Sequence, residues 1–258
     1  LRNIPDVQEG FENRIIKVKY LSSLLVITET TVSRELKKLE ELGYNLFYIG
    51  KNADLYTCAG DEAKVLLVRS DRCSVFDIPL NLLIDGKGIS QTTISNNGAE
   101  FAKEAGIRTA ILSEKVDQTL NIAPRCQLME LCKPLEAEVN GDVVQFELIF
   151  RNYLTGSLFD TCQNNLDPYG LNLASGLKQW HKFETPIFTP TTKGIKDEPL
   201  NSAKVRELFP EIVTNLEKLF KDFTIFAEQR GIIVVDTKFE IFVNSKGEWV
   251  LGDEVLTP

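Results

Sequence analysis

The sequence predicts an α/β fold of the α+β kind, antiparallel sheets with flanking helices, and three observations carry that prediction. Residues 46–77 break into short β-rich runs (LFYIG, DLYTC, KVLLVRS) separated by glycine and charged residues, the pattern of an antiparallel sheet. Asn140-Gly141 stands between two strand-like runs, 128–139 and 143–150, and Asn-Gly in that position is a strong hairpin signal. Residues 202–230 place Ile212, Leu216, Leu219, Phe220 and Phe223 on one helical face. The chain has 258 residues, enough for one large or two modest domains at about 150 residues each.

Residues 1–45 are charged and short of glycine, and read as an N-terminal extension. Within them TVSRELKKLEELGY has the form of a helix: Thr31 can cap it, Val32, Leu36 and Leu39 share a face, and Gly43 suits a left-handed stop. A smaller β-rich lobe is expected over 46–150, with a helix near 90–105, and a larger lobe over 151–258. Residues 164–200 are rich in proline, glycine, asparagine and threonine, too irregular for one element and too long for an idle connection. Pro210 divides the following helical stretch in two and Gly231 stops it. Residues 232–235 then begin a buried strand.

Composition excludes several classes of function. Lysine plus arginine is 29 against 37 aspartate plus glutamate, a formal charge of −8, which disfavours a nucleic-acid groove. No apolar run approaches the roughly 20 residues that a bilayer crossing needs, so no membrane association is expected. Five cysteines form no CxxC pair, and their odd number beside a single histidine, His181, argues against a disulfide framework or a zinc site. A reducing cytoplasm fits best. The chain begins at Leu1 rather than methionine, so it is expected to be a portion of a longer product.

The richest segment is GIIVVDTKFEIFVNSKGEWVLGDEVLTP. Period-2 geometry puts Asp236, Lys238 and Glu240 on one face of a strand, with Thr237, Phe239 and Ile241 on the other. If NSKG turns the chain back near Ser245 and Lys246, Glu240 lies opposite residues 251–252, with Asp253 at or beside the cross-strand position. Two carboxylates that close repel by about 4 kcal/mol at about 4 Å and an effective dielectric near 20 unless a cation intervenes. Magnesium, with its preference for one or two carboxylates completed by phosphate oxygens and water, suits the place and suggests a nucleoside triphosphate site. A solvated hairpin face laced with lysines and carboxylates fits the spacing equally. RNYLTGSL (151–158) offers arginine, threonine, serine and exposed N–H groups beside Gly156, either a phosphate or carboxylate cradle or an ordinary strand exit. The two prolines of TPIFTPTTKG (185–194) stiffen a loop that presents hydroxyls and Lys193, and GKNADLY (50–56) is a glycine-lysine turn too short for a Walker loop.

Together and in order, GKNADLY, SDRCSVFD, KGI, RNYLTGSL, TPIFTPTTKG, GIIVVDTKFE and GDEVLTP resemble the SAICAR synthetase (phosphoribosylaminoimidazole-succinocarboxamide synthase) family across about residues 46–258. The resemblance implies a two-lobed fold related to ATP-grasp and kinase-like architectures, with ATP between the lobes. It implies an ATP-dependent ligase of purine biosynthesis, joining L-aspartate to the carboxylate of carboxyaminoimidazole ribonucleotide (CAIR) through an acyl phosphate, with release of ADP and phosphate. Catalysis of such a step is mostly positioning and neutralisation of phosphate charge. Carried over residue by residue, Gly50 and Lys51 would reach ATP phosphates and Lys133 would approach the nucleotide. Glu240 and Asp253 would hold Mg²⁺, while Arg151, Gly156 and Ser157 would hold the ribonucleotide phosphate. Lys238 and Asp236 would orient the carboxylate and imidazole end, with Lys193, Arg72 and Ser74 lining the substrate side. The implied partners are these small molecules alone, with a homo-oligomer left open.

Four departures stand out. Ala53 occupies a place where the family often has a second basic residue, and KDEPLN offers only Asp197 and Glu198 where a histidine-aspartate pair is usual. Ile241 and Phe242 replace phenylalanine and glycine after KFE, and the sequence stops at Pro258, before an arginine-bearing stretch that the family carries. The C-terminal part is therefore expected to be missing. A paralogous amide ligase for another heterocyclic carboxylate, or a noncatalytic nucleotide-binding relative, would accommodate the same departures.

Overall fold

A computed structural model describes residues 37–49, 52–75, 78–164, 166–194 and 197–257. These form two compact units, one made of the described residues up to Thr93 with Ile111–Leu131, the other of Ile94–Ala110 with the described residues from Cys132 onward. The expected lobe boundary at 150/151 therefore needs correcting. It falls inside a single uninterrupted strand of the second unit, Asp142–Tyr153.

In the first unit the strands are β1 (Tyr44–Ile49), β2 (Ala53–Cys58), β3 (Asp61–Arg69), β4 (Arg72–Val75) and β5 (Ile78–Leu83); helix α1 (Lys87–Glu104) begins here and β6 (Cys126–Glu130) completes it. An antiparallel sheet runs β1-β2-β3-β6, and β4-β5 form a separate ribbon. The sheet closes because apolar residues fall in register: Leu46 faces Tyr56, Tyr56 faces Leu66, and Leu66 faces Leu128. Tyr56, Leu66 and Leu128 lie in a core with Leu39, Val116, Leu120 and Ile122. Leu39 belongs to a helical turn at residues 37–41, which Gly43 ends at φ 82°. The remainder of that expected helix lies outside the described residues.

The second unit is built on a seven-stranded sheet. Its strands are β7 (Lys133–Pro134), β8 (Glu136–Val139), β9 (Asp142–Tyr153), β10 (Lys182–Phe188), β11 (Thr191–Lys193), β12 (Asp236–Val243) and β13 (Trp249–Gly252), and its helices are α2 (Gly156–Gln163), α3 (Ser202–Leu208) and α4 (Pro210–Glu228). β9 is the spine, antiparallel to β8, β10, β11 and β12, while β12 also takes β7 and β13. One face of the spine is apolar. Phe150 stacks on Phe188 at 4.9 Å and on Phe220 of α4 at 5.9 Å, with Phe239 edge-on at 6.1 Å.

Several expectations are met in detail. Asn140 (φ 55°) and Gly141 (φ 94°) form the β8–β9 turn, and Pro210 starts α4 one residue after α3 ends. Others are corrected. The run 128–139 is not one strand: β6 pairs within the first unit's sheet, while β7 and β8 pair with different strands of the second. Pro134 has no N–H to extend a ladder, so the chain changes partner there. Within 164–200, TPIFTPTTK makes β10 and β11, with Pro186 tolerated because β10 is an edge strand that pairs only with β9 across an irregular register. Residues 232–235 are irregular, and Ile232 and Ile233 are exposed. After Gly231, the Ile232 N–H is bound to the end of α4 through Ala227, and the carbonyls of Val234 and Val235 are taken by the side chain and backbone of Asn152.

Candidate active site

The face of the second unit's sheet opposite the phenylalanine core is where the charged residues gather. β12 runs in register with β9, so Asp236 faces Arg151, Lys238 faces Ile149 and Glu240 faces Glu147. β11 adds Thr191 opposite Glu147 and Lys193 opposite Gln145, and β13 sets Gly252 opposite Glu240. Cross-strand partners share a sheet face, so Arg151, Glu147, Asp236, Lys238, Glu240 and Lys193 are displayed together. Thr237, Phe239 and Ile241 are buried on the other side, as their alternation requires.

Two ion-pair clusters occupy that face. At one end Arg151 Nη1 donates to Asp236 Oδ2 at 2.5 Å and Arg151 Nε donates to Thr189 Oγ1 at 3.0 Å. Arg151 is 8% exposed and its fork is thereby fixed, leaving Asp236 as the more open partner. At the other end Glu240, 6% exposed, is held by Lys193 at Oε2 and lies 3.3 Å from Lys238 Nζ at Oε1. Lys238 Nζ donates at 2.8 Å to Glu147, which is 5% exposed. Burial works to lower the Lys238 pKa, but the hydrogen bond to Glu147 and the charge of Glu240 outweigh it and hold the ammonium above its ordinary range.

Asp253 follows Gly252 directly, exposed and in the left-handed region at φ 53°, one place beyond the cross-strand partner of Glu240. A side chain at position 252 would drive its Cβ to 2.5 Å from the Phe242 ring, so glycine is needed for that close strand approach. Among the described residues no group of three or more histidine, cysteine, aspartate or glutamate side chains is arranged to hold a metal. Yet both oxygens of Glu240 already have ammonium groups against them, which marks a buried carboxylate whose environment calls for positive charge. Such hard oxygen donors fit Mg²⁺ better than any softer ion.

Other expected site residues are placed separately. Gly156 (φ 58°) and Ser157 open α2 just beyond β9, both exposed, and no side chain of the cap residue Thr155 takes the first N–H groups of that helix. Lys133 is exposed on β7, opposite Val243 at the far end of β12. Arg72, in the first unit, is 5% exposed and locked by Asp54 at 2.5 Å and by the Ser70 hydroxyl at 2.7 Å. That geometry ties β4 to β2 through the guanidinium and leaves its buried Nη1 without a hydrogen-bond partner among the described residues. Ser74 lies in β4 in register with Pro79. Gly50 and Lys51 lie outside the described residues.

Glu147 escaped the sequence reading, and Thr189 and Thr191 were covered by it only as unnamed hydroxyls of the TPIFTPTTKG loop. Glu147 and Thr189 make the contacts above, and Thr191 is 7% exposed with no partner for its buried Oγ1. Glu147 had a signal: in DVVQFELIFRNY it shares the period of Arg151, the one acidic residue within an otherwise apolar run on that strand.

Comparison with known proteins bears on this geometry. A family model described as SAICAR synthetase matches residues 46–258. The phosphoribosylaminoimidazole-succinocarboxamide synthase of Neisseria meningitidis serogroup B is 34% identical over 229 residues, covering 85% of this chain and 77% of that protein. The enzyme of the same name from Halorhodospira halophila is 35% identical over 227 residues, covering 83% and 73%. Among solved structures, a SAICAR-synthase from Saccharomyces cerevisiae complexed with SAICAR superposes with a TM-score of 0.69 at 29% identity, over 83% of this chain and 74% of that one. A type-2 SAICAR synthetase in complex with ADP has the same fold at 20% identity and a TM-score of 0.62, over 81% and 79%.

Proposed function

Because the chain belongs to the SAICAR synthetase family, we propose that the charged sheet face of Arg151, Asp236, Lys238, Glu240 and Lys193 is the place where it performs that family's reaction. The chain is an ATP-dependent ligase of purine biosynthesis that joins L-aspartate to the carboxylate of CAIR. A carboxylate resists attack by an amine because its leaving group would be oxide. Phosphorylation by ATP converts that oxygen to a phosphate, and the aspartate amine displaces it with formation of the amide.

The residues divide by chemistry. Arg151, fixed by Asp236 and Thr189, presents a directed cation to the ribonucleotide, and the exposed first turn of α2 at Gly156 and Ser157 offers N–H donors for its phosphate. Asp236 orients the imidazole end. Lys238 and Lys193 neutralise the carboxylate and the transferring phosphoryl oxygens, which lowers the barrier to bringing two anions together. Lys51, Gly50 and Lys133 serve the nucleotide. Mg²⁺ fits Glu240 with Asp253, where it would supply charge neutralisation for the triphosphate.

The observation that carries this reading is the convergence of two lysines on one buried carboxylate, Glu240, next to the Arg151–Asp236 pair on a single sheet face. Glu240→Ala is expected to abolish ADP release with CAIR and aspartate while the circular dichroism spectrum stays native. Near-normal turnover would refute the assignment of Glu240. Replacing CAIR by other heterocyclic carboxylates in the same assay should leave ADP release at background, and a better substrate among them would redirect the specificity.

A further inference from the structure

Glu147 has no role in the machinery described so far, yet it is among the most buried charged groups of the sheet face, at 5% exposure. It lies directly across from Glu240 in the β9–β12 register, so two buried carboxylates face each other on neighbouring strands. Lys238 Nζ stands between them, 2.8 Å from Glu147 and 3.3 Å from Glu240. Lys193 takes the second oxygen of Glu240. A divalent cation that coordinates either oxygen of Glu240 must displace the ammonium that stands against that oxygen. Lys193 has a route, since its side chain is 41% exposed on a three-residue edge strand. Lys238, with a side chain 47% exposed, has a strand partner on the β9 side alone, and of the two carboxylates beside it Glu147 is the one it binds more closely.

We infer that Glu147 is a positioning residue that draws the Lys238 ammonium off Glu240, so that Glu240 is open to a divalent cation while Lys238 stays fixed for the substrate carboxylate. The inference rests on the assignment of Glu240 to the metal. Physically it is a competition for one carboxylate: a lysine that loses its other partner binds Glu240 more closely and must be displaced by the incoming ion. With Glu147 present the displaced ammonium keeps a charged hydrogen bond, and the two lysines and two carboxylates of the patch remain balanced.

The test is Mn²⁺ binding to the free protein, followed by electron paramagnetic resonance of unbound Mn²⁺. Glu147→Gln, which keeps the shape, is expected to weaken Mn²⁺ binding about tenfold when Lys238 is present and by less than about threefold in a Lys238→Met background. Equal losses in both backgrounds, or none, would overturn the inference and leave Glu147 a direct electrostatic or purely structural group. Glu240→Gln separates the two levels: if it leaves Mn²⁺ affinity unchanged, the metal assignment fails and the inference with it. In crystals of the unmodified chain soaked in Mn²⁺, Lys238 Nζ should stay at about 3 Å from Glu147 and leave Glu240. A lysine still bound to Glu240, or Mn²⁺ coordinated by Glu147, overturns the proposal without recourse to any variant.

Discussion

Arg151 illustrates how a single side chain is fixed by its neighbours. Its guanidinium is desolvated by the sheet and held at Nη1 by Asp236 and at Nε by Thr189, so its orientation is set before any ligand arrives. Asp236→Asn removes the charge of one partner and keeps the shape. Loss of about 2 kcal/mol of stability is expected in urea unfolding, the scale of a hydrogen bond to a charged group. A rise in the CAIR KM should accompany it, with the KM for ATP little changed. An equal rise for both substrates would show that Asp236 supports the whole site and not the ribonucleotide end. The face of Asp236, Lys238 and Glu240 was legible from period-2 spacing alone, because alternation is a local property of a strand. Glu147 was not, because its meaning depends on register with β12, nearly a hundred residues away in sequence. The partner of Arg72 was not legible for the same reason. Nothing near it in sequence announces Asp54, which captures it from β2.

The elements that carry the site are held by a few close backbone approaches. Gly98, in the second half of α1, packs on the C-terminal segment so tightly that a Cβ would lie 2.1 Å from the Val255 carbonyl oxygen. That oxygen belongs to the backbone and cannot swing aside. Gly98→Ala should therefore destabilise by about 1–3 kcal/mol despite the better helix propensity of alanine, and should displace the segment that follows Asp253. The urea midpoint of the variant measures the first effect. A midpoint raised above that of the parent chain would mean that α1 can shift without cost. At this scale the hairpin at Asn140-Gly141 and the break at Pro210 were legible, since each is fixed by the φ restrictions of one or two residues. The division of 128–139 among β6, β7 and β8 was not, because partner choice is settled by strands far away in the chain.

For the molecule as a whole, the buried ionic pairs set its response to acid. Burial by itself would raise the carboxyl pKa of Asp71, but the Arg125 hydrogen bond and the backbone N–H of Gly88 overcome it and hold the carboxyl below its ordinary value. A folded pKa below the unfolded one gives stabilisation that is complete above the unfolded value of about 3.9 and is lost as pH falls through the folded value. Stability should thus decline below about pH 4, and Asp71→Asn should flatten that acid limb while lowering stability at neutral pH; an acid limb of unchanged slope would exclude Asp71 as a contributor. No helix among the described residues is long and apolar enough to cross a membrane, and none of the five cysteines is joined in a disulfide. Burial pushes the Cys126 thiol up to about 12, only partly offset by Arg125, so that thiol is held in its unreactive form. By itself the sequence determined the class of fold, the family, and which faces of β9 and β12 are polar, because composition, turn chemistry and alternation are written in consecutive residues. Only the tertiary structure decided that Glu147 shares Lys238 with Glu240, that Arg72 pairs with Asp54, and that β9 binds both the hairpin before it and the strands after it. Those outcomes depend on contacts between distant residues, where burial strengthens some charge pairs and register selects which ones can form.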